Sequence, residues 1–463
     1  MRKIAPSLFT LIFILTITIS FVSCGNDDEP STTTEPIPEG FLGELDFVKT
    51  MGGSLNDNIV SVVQANDGNY IFMGTTESSN GDVTDKTGDD DDFWLIKTTP
   101  EGSLIFNKVY GGSETDKATN LIKTSDGGYI VCGYSASSNG DVSGNEGFQD
   151  YWITKLDAQG NITWEKNYGF AGADQALKII ETSNGGYFTT GFFDVTASGN
   201  QGNDDGAAPT GGGDDTREAL HGVGEFWGIL MDSNGEKVWR RFFGGSNNDR
   251  SYDVIETATG GFLMIGHSES NDFDIEDDKG SYDFWVVNVS ATGDKLWTKS
   301  FGGSEIDQGF AITSDGNGNY IMVGDTRSTD GDVTATNGNA DAWVIKFNPE
   351  GNLIWQKSFG GTAFDSAKAI TPLQNGDFAI AGNTRSSIDG FTNKGQNDAW
   401  LFIIDTNGNL KFNYVVGGSS LDFANDVFET QDGKLLVVGS TESNDADIPE
   451  NKGLEDALII KIK

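Results

Sequence analysis

The chain has 463 residues, of which 70 are Asp or Glu and 30 are Lys or Arg, for a formal net charge of −40. That charge sets it against nucleic acid and anionic lipid surfaces, and leaves cations, basic proteins and neutral glycans as partners. With Cys24 and Cys132 as its only cysteines, it cannot be held together by a framework of several disulfides.

At the N-terminus, Arg2 and Lys3 precede an apolar run, Leu8 to Val22, broken only by hydroxyl residues. It is too short and too N-terminal for a spanning helix, so residues 1–23 read as a targeting segment. The run closes on Phe21-Val22-Ser23-Cys24, which resembles the bacterial lipoprotein cleavage box. The resemblance implies that Cys24 becomes the lipidated first residue and anchors the chain to a membrane. The stretch Asn26-Asp27-Asp28-Glu29 resembles the export signal of Bacteroidetes surface lipoproteins, so the expected location is the outer membrane, facing outward. Residues 24–42 are polar and Pro-rich and read as a tether.

From residue 43 onward one motif returns seven times: Gly52-Gly53-Ser54, Gly111-Gly112-Ser113, a degenerate Gly169, Gly244-Gly245-Ser246, Gly302-Gly303-Ser304, Gly360-Gly361-Thr362 and Gly417-Gly418-Ser419. The steps are 59, 58, 75, 58, 58 and 57 residues, a period that marks a repeat architecture. Within the second copy, Ala118 to Thr124 and Tyr129 to Tyr134 flank Asp126-Gly127-Gly128, a hairpin signal. A long polar loop follows. Asp150 to Leu156 then predicts a third strand, and Ile162 to Tyr168 a fourth. Each period therefore holds four antiparallel strands, a to d, with b and c apolar at nearly every position and needing cover on both faces. Seven such sheets, each packed on the next, make a seven-bladed β-propeller over residues 43–463. The last period stops at strand c, Asp456 to Ile462, while Glu44 to Thr50 lies where a strand d belongs. The N-terminal strand is thus expected to complete the last blade and close the ring.

The Gly-Gly-Ser-x-x-Asp step, the strand ends Gly324-Asp325-Thr326-Arg327-Ser328, Gly382-Asn383-Thr384-Arg385-Ser386 and Gly439-Ser440-Thr441-Glu442-Ser443, and the Asp-aromatic start of strand c resemble the seven-bladed β-propeller repeats of bacterial secreted proteins and Bacteroidetes lipoproteins. The resemblance fixes a fold more than a function, and carries a faint association with polysaccharide degradation.

Several residues recur by position. The Gly that ends strand b is expected where backbone approaches closely. Ten Trp residues fall in strands c and d and read as packing between blades. An Asp follows each first Gly by five residues: Asp57, Asp116, Asp174, Asp249, Asp307, Asp365 and Asp422. A carboxylate there accepts backbone N–H groups and fixes the turn, or else serves as an oxygen ligand for calcium. Alternating strand direction brings the d-to-a and b-to-c loops to one face of the disc, which is expected to be acidic. The third repeat alone carries an insertion, between Asp194 and Glu225, and its Asp204, Asp205, Asp214, Asp215 and His221 are the candidate contacts with a ligand. Cys132 and His267 read as structural.

No nucleophile elbow, phosphate loop, metalloprotease motif or paired-Cys site occurs, and two histidines leave little material for a triad. The reading is of a monomeric binding or scaffolding module for glycan or protein, with no cofactor evident apart from calcium. A polysaccharide-acting, endoglucanase-like hydrolase is the alternative, since two carboxylates suffice for that chemistry. A purely structural envelope protein is the third.

Overall fold

The computed structural model describes residues 41–198, 201–204, 221–388 and 390–463. These form twenty-eight strands in seven four-stranded antiparallel sheets, with one short helix, Val195–Ser198. Blade 2 is typical: Asp116–Lys123, Tyr129–Ser135, Asp150–Leu156 and Ile162–Tyr168 are its strands a to d. The sequence reading of this blade holds to within one or two residues at each end. Blades 1, 3, 4, 5 and 6 span residues 57–110, 175–243, 249–301, 307–359 and 365–416.

Blade 7 is built from both ends of the described chain. Asp422–Glu429, Leu435–Thr441 and Asp456–Ile462 supply strands a to c, and Leu45–Met51 pairs on Asp456–Ile462 as strand d. The pairing runs from Leu45 opposite Ile462 to Met51 opposite Ala457, and the Glu44 and Lys463 backbones exchange hydrogen bonds of 3.1 and 2.9 Å just beyond it. The ring is closed as expected, so the fully buried strand Asp456–Ile462 is not left as an edge.

Burial follows position in the blade. Strands b and c are buried along nearly their whole length, while strand d is half exposed at the rim. Strands a of neighbouring blades touch all the way round and line the central tunnel. Each strand a carries a bulge, at its fourth residue in six blades, as between Ile59 and Ser61 or between Ser251 and Asp253, and at the third, Leu177, in blade 3, which re-aims that side chain.

The tryptophans pack between blades. In strand c, Trp152, Trp227, Trp285 and Trp343 each meet the ring that precedes the tryptophan of the blade before: Phe93, Tyr151, Phe226 and Phe284, at centroid distances of 4.4 to 4.9 Å. In strand d, Trp164, Trp239, Trp297 and Trp355 lie over Gly235, Gly293, Gly351 and Gly408, the turn glycines of the next blade, where a Cβ would come within 2.7 to 3.3 Å of the indole. The Gly that ends strand b is set by its own blade: a Cβ on Gly382 would lie 1.9 Å from the Ser366 carbonyl oxygen in strand a. Cys132 is fully buried and free.

Candidate functional site

The face formed by the d-to-a and b-to-c loops is held by carboxyl groups. Six of the seven recurrent aspartates open strand a, Asp174 lies just before it, and all seven are fully buried. Asp57, Asp116, Asp249, Asp307, Asp365 and Asp422 accept the N–H of the second loop glycine at 2.6 to 2.7 Å, and Asp174 accepts that of Phe170 at 2.7 Å. Six of them also accept a serine hydroxyl from just beyond strand b, such as Ser78 at 2.7 Å and Ser443 at 2.9 Å. Thr76, Thr384 and Thr441 donate to the other oxygen of Asp57, Asp365 and Asp422. These contacts are those of a turn-fixing carboxylate, and no group of three or more His, Cys, Asp or Glu set to hold a metal occurs among the described residues.

A second ring of carboxyl groups stands behind the first. Strand c opens with Asp92, Asp150, Glu225, Asp283, Asp341, Asp398 or Asp456, all buried. One oxygen is satisfied locally: Asp150 accepts the Glu146 N–H at 2.7 Å and Asp398 the Lys394 N–H at 2.8 Å. The other oxygen is buried without a partner in all seven. It points at the first glycine of the loop, where a Cβ on Gly417 would lie 2.3 Å from Asp398 Oδ1 and 2.9 Å from Asp422 Oδ2. The two rings thus form carboxyl pairs with a glycine wedged between them. Burial, with repulsion from a neighbouring carboxylate, pushes Asp92 and Asp283 up to about 7 and Asp341, Asp398 and Asp456 up to about 6. These buried groups take up protons well above the ordinary carboxylate range and tie down the loops beside them.

Blade 3 departs from the pattern where its loop is degenerate. Asp204 folds back on the outer strand, accepts the Arg240 N–H at 3.1 Å and pairs with Lys237, Arg240 and Arg241. His221 stacks on Phe273 of blade 4 at 4.7 Å, with Nδ1 3.5 Å from Glu225, and burial lowers its pKa. Both residues therefore tie the insertion down. Asp205, Asp214 and Asp215 lie outside the described residues, as does Cys24. A cleft of about 470 Å³ opens between blades 2 and 3, lined by Asn145, Asp150, Asn167, Tyr168 and Phe170.

At the centre of this face the seven blades cease to be equivalent. Position for position, the residue after strand b is Glu77 in blade 1, Asp194 in blade 3, Glu269 in blade 4 and Glu442 in blade 7, but Arg327 in blade 5 and Arg385 in blade 6. Phe364 lies beside both arginines, its ring 6.0 Å from the Arg327 and 5.5 Å from the Arg385 guanidinium carbon. In blade 4, Arg250 lies 4.6 Å from the Phe192 ring. All three arginines are exposed. Below them His267, 4% exposed, contacts Tyr252, Tyr282 and Phe310; burial and the nearby Arg250 and Lys368 push it down to about 3. The acidic loop face thus carries three exposed arginines among the acidic residues at its centre.

No family model matches the chain. A curated relative, "Regulatory protein FlaEY" of Caulobacter vibrioides, is 22% identical over 404 residues, 78% of this chain and 40% of that protein. The chain thus spans well under half the length of the curated relative it matches. Among solved structures, the WD40 domain of Neurospora crassa Pan2 is similar at 11% identity over 87% of this chain and 89% of that one, with a TM-score of 0.47. Chaetomium thermophilum Sqt1 is similar at 8% identity over 90% and 99%, TM-score 0.44. A Bacteroides caccae protein of unknown function is 14% identical over 62% and 78%, TM-score 0.35. None of these likenesses carries an argument about activity.

Proposed function

We propose that this chain is a lipoprotein anchored through Cys24 in the outer membrane, facing the exterior, and that its propeller binds a glycan or protein partner through the loop-rich face. The observation that carries the reading is the union of rigidity and asymmetry on that face. Carboxyl pins under every d-to-a loop hold a sevenfold platform, and the side chains at its centre differ from blade to blade. Such a platform suits recognition, because preformed loops lose little conformational entropy on binding. Asp57, Asp116, Asp174, Asp249, Asp307, Asp365 and Asp422 remain the proposed oxygen ligands should Ca²⁺ bind this face.

The test is retardation of the protein on a panel of immobilised polysaccharides with calcium present, alongside cross-linking to surface proteins on intact cells. Retention by one glycan class, or capture of one partner, is expected, and substitutions on the loop-rich face should abolish it. Binding that survives those substitutions would refute the assignment of the face, and release of reducing ends from a retained polysaccharide would turn the reading to an enzyme.

A further inference from the structure

Three of the chain's seven arginines, Arg250, Arg327 and Arg385, stand on consecutive blades at the mouth of the tunnel. In a protein with more than twice as many acids as bases, an exposed arginine is expected to sit beside a carboxylate. Most lysines do, from Lys97 on Asp67 at 2.6 Å to Lys452 on Asp82 at 2.6 Å. Yet none of these three has a carboxylate oxygen within ion-pairing distance among the described residues, whereas Arg240 and Arg241 share Asp204. Each guanidinium instead lies by an aromatic ring, Phe192 or Phe364. That contact restricts its orientation and leaves its N–H fork unneutralised at the surface.

A fourth cation deepens the arc. Lys368 takes the bulged position of strand a in blade 6, with Nζ 3.3 Å from the Phe310 ring centre and 3.9 Å from Asp325 Oδ1. Asp325 is itself tied to the Ser366 hydroxyl at 2.7 Å. The tunnel wall beside it is aromatic, Tyr252 meeting Phe310 edge-on at 5.2 Å. The His267 Nδ1 is buried here without a hydrogen-bond partner. Across the mouth the charge reverses. Glu455 of blade 7 is raised by burial and, further, by repulsion from Glu442 of its own blade and Glu77 of blade 1.

We propose that this arc is a binding site for the C-terminal carboxylate of a peptide chain, with the terminal residue's side chain against Tyr252 and Phe310. The proposal rests on the loop-rich face being the binding surface and names what its centre takes. Arginine's planar fork matches a carboxylate bidentately, and Arg327 and Arg385, both against Phe364, offer two such forks side by side, with Arg250 on the next blade. The opposite acidic side decides between a chain end and a polyanion. A peptide presents one carboxylate followed by neutral amides and basic or neutral side chains, which the Glu77–Glu442 side accepts. A polyuronate laid across the mouth would put its further charges against those glutamates and be repelled.

The experiment measures binding of the full-length chain to a pool of random hexapeptides as free acids, to the same pool amidated at the C-terminus, and to an oligogalacturonate of similar length. The free acids are expected to bind at least tenfold more tightly than the amides. Arg327→Gln with Arg385→Gln should remove that preference while leaving thermal unfolding unchanged, since both side chains are exposed. Equal binding of acid and amide, or no binding of either, overturns the proposal. Preference for the oligogalacturonate also overturns it, yet leaves the loop-rich face standing as a binding surface. Loss of all partners from the polysaccharide panel and from cells would instead fell the broader reading.

Discussion

Replacing Asp422 by Ala tests what the recurrent aspartate does. Its carboxylate accepts the Gly418 N–H at 2.7 Å, the Ser443 hydroxyl at 2.9 Å and the Thr441 hydroxyl, all at a fully buried site. A buried donor left unmade costs about 1–3 kcal/mol, so three sum to roughly 3–9 kcal/mol. Against this, the variant relieves repulsion with the Asp398 carboxyl, and water can reach the loop from its exposed side, so the net loss should fall near the lower end, about 4 kcal/mol. An unfolding entropy of about 2.1 cal/mol/K per residue over roughly 420 residues converts this to a fall in Tm of about 4–5 °C. Asp422→Asn, which keeps one acceptor and the volume, should lose less than half as much. Calorimetry would be run in calcium and again in chelator. A fall below 1 °C would refute the turn-fixing account. So would a loss seen only with calcium present, which would make the carboxylate a cation ligand.

The remaining predictions concern the ring as a whole. Asp92, Asp174 and Asp283 are pushed up to about 7, and Asp150, Asp249, Asp341, Asp398 and Asp456 to about 6, chiefly by burial, from an ordinary 3.8. Between pH 4 and 7 the folded chain therefore holds more protons than the unfolded one, and the stability present at low pH is lost as pH rises through 6 to 7. His267, depressed from 6.5 to about 3, works the other way below pH 6.5, but it is one group against eight. Tm should be higher at pH 5.5 than at pH 8, and a flat or reversed profile between those values would contradict the burial of the pairs. Deleting residues 41–51 removes the closing strand and six backbone pairings. At about 1 kcal/mol net per hydrogen bond the loss is about 6 kcal/mol, and a peptide of those residues added in trans should restore part of it. An unaltered melting curve would mean that blade 7 does not need its fourth strand.

Much of the fold was legible because it repeats. A period near 58 residues, Asp-Gly turns between apolar runs, and a last period one strand short lead to a closed seven-bladed ring, and the strand limits of blade 2 lie where those signals put them. The first carboxyl ring was legible as turn chemistry for the same reason. The second was not. Asp150 and its counterparts open the Asp-aromatic run, where a carboxylate before an apolar strand reads as its exposed start, and only the stacked loops show it buried against the glycine. The arginine arc was hidden differently. Arg250 is the second residue of a strand a, whereas Arg327 and Arg385 follow strands b, so no single spacing links them, and closure alone brings them to one mouth. The blade 3 insertion drew attention by breaking the period, yet its Asp204 and His221 are spent on holding the loop to the blade.

The closing strand also fixes the handedness of presentation. Leu45 begins strand d at the end of the blade where the short a-to-b and c-to-d turns lie, beside Lys463, with the Leu42 N–H on the Lys463 carbonyl at 3.1 Å. The polypeptide thus enters the disc from its turn side, diametrically opposite the tunnel mouth with its arginines.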